Sequence, residues 1–286
     1  MSIICLHHND ADGRASAAIV RRALGPDVQF YEIDFGDLVP WNKIEGADRA
    51  VMVDFSLPPD EMLRLAEATD LIWIDHHISA LEAMAGIADD WPGVRDIGEA
   101  GCVLTWNYFF PDKPIPRAIL LIGDRDIWRW AEQDTGAFDE GLYQRDTRPD
   151  HDELWQPLLN DDRKLLQELI EEGEILRRAR LLDIRRTVRK YGFEVSFEGY
   201  RTLAINTRSS GEMGEIIRQQ GYQIAYCYVD IRQNGNLVTA VTLYSDEVDV
   251  SRLARKFGGG GHRGAAGFSF SRGESPFPPA ALVTYP

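Results

Sequence analysis

Short apolar runs that stop abruptly at polar residues recur through the first half of the chain. "SIICLH" (2–7), "VQFYEIDF" (28–35), "RAVMVDF" (49–55) and "DLIWIDHH" (70–77) have this form. Between them lie segments of helical composition, "ASAAIVRRAL" (15–24) and "PPDEMLRLAEAT" (58–69), the second with proline near its start. "AGCVLTWNYFF" (100–110) and "PRAILLIGDRDIW" (116–128) also read as helices. Strand–helix alternation of this kind predicts a mostly parallel sheet with helices on both faces. The pattern changes after "DDRKLLQELIEEGEILRRARLLDIRRTVRKYG" (161–192), a long charged helix with Leu165, Leu169, Leu176 and Ile184 near one stripe. Gly173 is expected to be its weak point and Gly192 its stop. Beyond it, 193–206, 222–232 and 236–245 are strand-like, and Asn234-Gly235-Asn236 marks a hairpin between the last two. Residues 248–270 predict a helix, a glycine run and a small-residue segment, and the tail "SPFPPAALVTYP" (275–286) an irregular end. The expected organisation is an α/β domain at 1–160, a linker helix at 161–192 and a smaller mixed α/β domain at 193–286.

Composition narrows the partners. The 286 residues carry a net charge of −15, which argues against affinity built on gripping a long phosphate backbone with Lys and Arg. A small phosphate ester held by metal ions remains compatible. No apolar run reaches the length of a membrane span, and the start, "MSIICLHHND", lacks the basic and apolar regions of a secretory signal. Cys5, Cys102 and Cys227 are dispersed, as in a protein of a reducing cytoplasm.

Candidate chemistry collects where strands end. The first closes on His7, His8, Asp10 and Asp12, another on Asp54, and another on Asp75, His76 and His77. A parallel sheet brings these ends to one edge, where ligands usually bind. Crowded carboxylates raise one another's pKa and stay together when cations lie among them. Mixed Asp and His donors suit a divalent ion such as manganese. Two ions would activate water and neutralise charge on a phosphate. "GGGGHRGAAG" (258–267) is the second signal: its glycines let backbone N–H groups approach an anion, with His262 and Arg263 alongside.

Taken in order, "HNDADG", "VDFS", "DHH", "DRDIW" and "GGGGHRGAAGF" resemble the DHH phosphoesterase family with its DHH-associated C-terminal domain. The resemblance covers residues 3 to about 270. It implies a Rossmann-like catalytic domain holding two manganese ions, a smaller α/β domain that closes over the substrate, and an active site in the cleft between them. His8 and Asp10 would hold one metal ion, Asp12 and His76 the other, with Asp54 bridging. Asp124 and Asp126 are alternative further ligands, and His7 is an alternative to His8. Asp75 would orient a histidine, His77 would face the phosphate, and Gly259, Gly260, Gly261, His262 and Arg263 would hold substrate, with His262 also assisting the leaving oxygen. The compact His8-Asn9-Asp10 spacing resembles the nanoRNase-like branch. Thr242-Leu243-Tyr244-Ser245 stands where many members carry a substrate arginine, a role open here to Arg263, Arg252 or Arg208.

The expected function is hydrolysis of short oligoribonucleotides, or of small linear or cyclic nucleotides, to mononucleotides with two manganese ions. Alternatives are a phosphatase of nucleoside bisphosphates and a non-catalytic nucleotide-binding protein. The expected partners are the nucleotide substrate and a second copy in a homodimer, with neither long nucleic acid nor membrane.

Overall fold

The computed structural model describes residues 2–34, 37–233 and 235–271. Phe35 of the second strand-like run, Asn234 of the expected hairpin turn and the tail at 275–286 lie outside them. Contacts divide the chain into two compact units, Met1–Arg177 and Arg178–Pro286.

The first unit runs β1 (Ile3–His7), α1 (Ala11–Leu24), β2 (Gln29–Glu32), α2 (Trp41–Ile44), β3 (Arg49–Val53), α3 (Pro59–Ala68), β4 (Asp70–Ile74), α4 (Ile78–Met84), α5 (Gly101–Phe109), α6 (Arg117–Asp126), α7 (Thr135–Leu142), α8 (Asp152–Leu159) and α9 (Arg163–Tyr191), the last continuing into the second unit. Its four strands lie in the order β2-β1-β3-β4 and are parallel throughout. Near-continuous apolar runs such as IICLH and RAVMV suit strands covered on both faces. Ile4, Leu6 and Met52 pack on one side of the sheet, and Cys5, Val51 and Val53 on the other. Strand order reverses between β1 and β3, because the chain leaves β1 for β2 and then crosses back to β3. At such a switch point the crevice beyond the strand ends is open to a ligand.

A layer of helices completes this unit. α1, α5, α6 and α8 bury Ile19, Trp106, Ile119 and Trp155 in one cluster, which the start of α9 seals through Leu169. Gly173 is not a weak point: α9 continues through it without a break. A Cβ there would stand 1.7 Å from the Ala137 carbonyl oxygen, so glycine lets α9 lie directly on the backbone of α7. Gly141 answers from α7, where a Cβ would stand 2.1 Å from the Leu169 carbonyl oxygen. Leu176 also departs from its expected place: Leu169 and Ile184 are buried, but Leu176 is 38 % exposed. α9 packs into one core near its start and another near its end, and Leu176 falls between the two packed stretches.

The second unit contains β5 (Phe193–Phe197), β6 (Tyr200–Asn206), α10 (Gly211–Arg218), β7 (Ile224–Gln233), β8 (Asn236–Tyr244), α11 (Val250–Lys256), β9 (Gly260–Gly261) and β10 (Ala265–Ser271). The sheet order is β5-β6-β7-β8-β10-β9, with β6 and β7 parallel and the other pairs antiparallel. The single strand expected at 193–206 is a hairpin. Glu198 and Gly199 both take positive φ (51° and 85°), the two-residue turn whose twist matches the flanking strands. Glutamate is not a residue that announces such a turn. The small-residue segment after the glycine run is itself a strand, β10. Across the described residues no helix is long and apolar enough to cross a membrane. Cys5, Cys102 and Cys227 are free and buried.

Candidate metal centre

The parallel sheet delivers its acids and histidines to one edge. His8 and Asp10 follow β1, and Asp10 caps α1 by accepting the Gly13 N–H at 2.9 Å. This cap places Asp12 in the first helical turn, facing inward and buried. Its carboxylate accepts the N–H groups of Gly101 and Cys102, each at 2.7 Å, from the first turn of α5. Those two bonds orient Asp12 and use N–H groups that the helix leaves unpaired. A Cβ on Gly13 would stand 2.5 Å from the His8 carbonyl oxygen, so the compact motif needs glycine there.

Asp54 follows β3 with φ at 53°, in the left-handed region, while its N–H still bonds the Ile74 carbonyl at 2.9 Å. The strand thus ends in a sharp turn that swings the carboxylate into the crevice. The side chain is 1 % exposed, and neither oxygen has a hydrogen-bond partner. Its surroundings are titratable: His76 Nε2 lies 3.1 Å from Oδ1, and His8 Nδ1 3.9 Å from Oδ2. Beyond β4, Asp75 is fully buried. It accepts from Ser56 Oγ, from the N–H groups of His76 (2.7 Å) and His77 (3.1 Å), and from His77 Nδ1 at 2.7 Å.

His76 Nε2 is the hub of the inner group. It lies 3.1 Å from Asp54, 3.4 Å from Asp126 and 3.7 Å from Asp12. His8 Nδ1 lies 2.9 Å from Asp10 Oδ2. Donor atoms fall within 4.8 Å of one another in three overlapping sets: His8, Asp10 and Asp54; Asp12, His76 and Asp126; and Asp54, His76 and His77. Each set offers three donor atoms of the kind a metal ion takes.

The electrostatics follow from burial and crowding. Burial pushes the Asp54 carboxyl well above its usual range, and the charges of Asp12, Asp10 and Asp126 push it further. Burial and the same neighbours, Asp12 and Asp10, carry Asp126 to about 8. For Asp10 burial acts upward but loses to bonds from His8 and the Gly13 N–H, leaving it at about 2. Burial lowers His76, whereas the hydrogen bond to Asp75 raises His77 and that to Asp10 raises His8. A buried carboxylate that makes no hydrogen bond, among three more acids, is unfavourable alone. The donor set, hard oxygens with imidazole, is of the kind that divalent transition ions take.

The open alternatives separate by geometry. His7 ends β1 with its ring buried at the Phe30 edge and its Nδ1 2.8 Å from the His8 carbonyl oxygen, outside the three sets. Asp124 also lies outside them. It accepts the N–H of Ala131 (2.8 Å), that of Glu132 (3.2 Å) and the hydroxyl of Thr135. It organises the chain after α6, while Asp126, at the last position of α6, faces His76.

Asp34 and Gly101 have no role in the sequence reading, and Gly13 and Ser56 enter it only as the last residues of the motifs HNDADG and VDFS. Asp34 follows β2, a fourth strand end at the same edge, and its carboxylate lies 3.6 Å from His8 Nε2 and accepts Asn9 Nδ2 at 3.0 Å. Its signal was present in "EIDF", which ends in an acid as the other strands do. Gly101 carried none and Ser56 only its place in VDFS, because their roles are contacts with residues distant in sequence. A cavity of about 350 Å³ opens beside His77, with Asp34, Phe55, Ser56, Pro58 and Ala80 in its walls.

In the second unit, Gly259 and Gly261 serve close backbone approach. A Cβ on Gly259 would stand 2.0 Å from the Gly267 carbonyl oxygen, and one on Gly261 2.6 Å from Ala266 Cα. Gly260 and Gly261 pair with β10 as a short strand. His262 and Arg263 are exposed on the following turn, closed by the His262 N–H to the Ala265 carbonyl at 2.8 Å. Arg252 and Arg208 are exposed, and Arg252 lies 3.3 Å from Asp249.

No family model matches the chain. An uncharacterized protein of Acanthamoeba polyphaga mimivirus, R106, is 26 % identical over 252 residues, which span 86 % of this chain but 57 % of that protein. The chain therefore spans little more than half the length of this curated relative. Among solved structures, the DHH domain of a member of a family of ribosomal proteins is similar at a TM-score of 0.62 and 16 % identity, over 95 % of this chain and 83 % of that one. The pGpG-specific phosphodiesterase PggH of Vibrio cholerae is similar at 0.54 and 14 %, over 95 % and 94 %. RecJ of Thermus thermophilus in complex with Mn2+ is similar at 0.50 and 17 %, over 94 % of this chain and 49 % of that one.

Proposed function

We propose that this chain, whose fold is that of DHH-domain proteins, is a phosphodiesterase that hydrolyses short oligoribonucleotides or small linear or cyclic nucleotides to mononucleotides, with two divalent ions, manganese above all, as cofactor. The observation that carries the reading is Asp54: a buried carboxylate whose oxygens make no hydrogen bond, with His76 Nε2 3.1 Å away, set between two groups of potential ligands. His8 and Asp10 are assigned to one ion, Asp12, His76 and Asp126 to the other, and Asp54 to both. Such ions, when bound, supply Lewis-acid charge at a phosphoryl oxygen and lower the pKa of water.

The protein's own groups do the rest. Asp75 holds His77 Nδ1 and keeps that imidazole protonated to a higher pH, leaving the other ring nitrogen to donate to a phosphate oxygen. The glycines from Gly259 to Gly261, with His262 and Arg263, are assigned to the substrate phosphate. The net charge of −15 supports a short substrate, since a long polyanion would be repelled outside the centre.

The test is a panel of RNAs of graded length, cyclic dinucleotides and nucleoside bisphosphates, assayed with manganese and with products identified. Turnover should rise as RNA shortens, cease with chelator and be abolished by Asp54→Ala. Preferred release of inorganic phosphate from bisphosphates would replace the diesterase reading with a phosphatase. Absence of hydrolysis across the panel with manganese present would refute both.

A further inference from the structure

We propose that Trp128 is a base-stacking platform, the residue by which the centre prefers nucleotides to phosphate esters that carry no base. The inference rests on the phosphoesterase reading and names a specificity residue within it.

Three observations support this placement. The chain holds seven tryptophans, and among the described residues Trp128 alone is exposed, at 50 %. Exposing a large aromatic surface is unfavourable, and a fold retains it readily where something is to cover it. Second, Trp128 and Trp130 both take positive φ, 58° and 53°, a conformation that bulky side chains avoid. Backbone strain of this kind persists only where surrounding bonds enforce it, and it collects at functional sites.

Third, the enforcing bonds are present. The Asp124 carboxylate gathers Ala131, Glu132 and Thr135, and its carbonyl accepts the Arg129 N–H at 3.0 Å. Arg129 then reaches the Gly98 carbonyl at 2.9 Å and Glu99 at 3.1 Å. This ties the turn to the loop that leads into Gly101, the donor to Asp12. Trp128 is thus on a rigid mount two residues beyond Asp126. The Trp130 ring lies edge-on at 5.0 Å, and the Arg125 guanidinium lies 4.6 Å from the Trp128 ring centroid and 5.4 Å from that of Trp130.

A half-exposed indole, held against Arg125 and Trp130 and two residues beyond Asp126, suits a flat ring that arrives attached to a phosphate. A nucleobase meets that description, and stacking of this kind is tolerant of which base it is.

The test compares a ribodinucleotide with a dinucleotide lacking both bases, with manganese, in wild-type, Trp128→Ala and Trp128→Phe proteins. Separately, adenosine is titrated with chelator present while tryptophan fluorescence is read. The proposal expects the ratio of kcat/KM, base-bearing over abasic, to fall about tenfold in Trp128→Ala and to be largely retained in Trp128→Phe. It also expects adenosine to quench the wild-type emission and not that of Trp128→Ala. An unchanged ratio, including equal losses on both substrates, would overturn it, as would absence of quenching. If the wild-type protein hydrolyses neither dinucleotide but adenosine quenches Trp128, stacking stands and the hydrolytic reading falls. If it hydrolyses both with an unchanged ratio in the variants, hydrolysis stands and stacking falls.

Discussion

Gly101 and Asp54, far apart in sequence, are packed so closely that a Cβ on Gly101 would stand 2.7 Å from Asp54 Cβ and 2.9 Å from its Oδ1. The same Cβ would lie 3.0 Å from Asp12 Oδ2, which the Gly101 N–H orients. Gly101→Ala should therefore displace both carboxylates without replacing a proposed ligand. We expect manganese affinity to fall roughly 10- to 100-fold, as for loss of other groups that orient metal ligands. Calorimetric titration checks this; unchanged affinity would mean that neither carboxylate is a ligand.

The paired acids of α6 should respond oppositely to amide substitution. Asp124 accepts three side-chain or backbone donors, so Asp124→Asn should lower stability by about 1–3 kcal/mol. Asp126 lies among other acids that raise its pKa to about 8, and Asp126→Asn removes the cost of burying its charge or taking up a proton on folding. The metal-free Asp126→Asn protein should melt at or above the wild-type temperature while binding manganese more weakly. Melting curves with and without metal separate the two; a reversed pattern would exchange their roles.

Without metal, stability should fall as pH rises. A carboxyl that holds its proton more tightly folded than unfolded favours the folded state at low pH. For Asp126 that advantage is present below the unfolded value of 3.8 and is lost as pH rises toward and through about 8. Asp54 acts in the same direction. The chelated protein should thus melt higher at pH 5 than at pH 8, so far as this cluster decides, and manganese should raise the melting temperature most at pH 8. Thermal scans of wild type and Asp54→Asn measure the contribution; an identical slope in the variant would remove Asp54 from it.

Asp75 is a positioning residue. It accepts four donors, two of them from the His77 ring and backbone. In Asp75→Asn the amide can no longer accept at both positions, and the support that raises the His77 pKa is weakened. We expect activity to fall roughly 10- to 100-fold and the acidic species of His77 to titrate at lower pH, visible in its NMR signals. A pure loss of folding would leave the His77 titration unmoved in the folded fraction.

Much of this molecule can be read from residue order alone. Apolar runs such as IICLH and RAVMV are continuous because both faces of their strands are covered, and a parallel sheet follows from their alternation with helices. Once the strands are parallel, the acids behind them must share an edge. That is why His7, His8, Asp10, Asp12, Asp54, Asp75, His76 and His77 could be grouped from sequence. Tertiary structure alone decided which neighbour on one segment turns inward. Asp124 and Asp126 are both acids at the end of α6, but a helix rotates about 100° per residue, so two positions along they face different surroundings. It alone also assigned Gly173, Gly101 and Ser56, whose tasks are defined by what packs against them. A glycine in a sequence signals freedom; only the partner that comes within a Cβ's reach shows that it was needed for closeness.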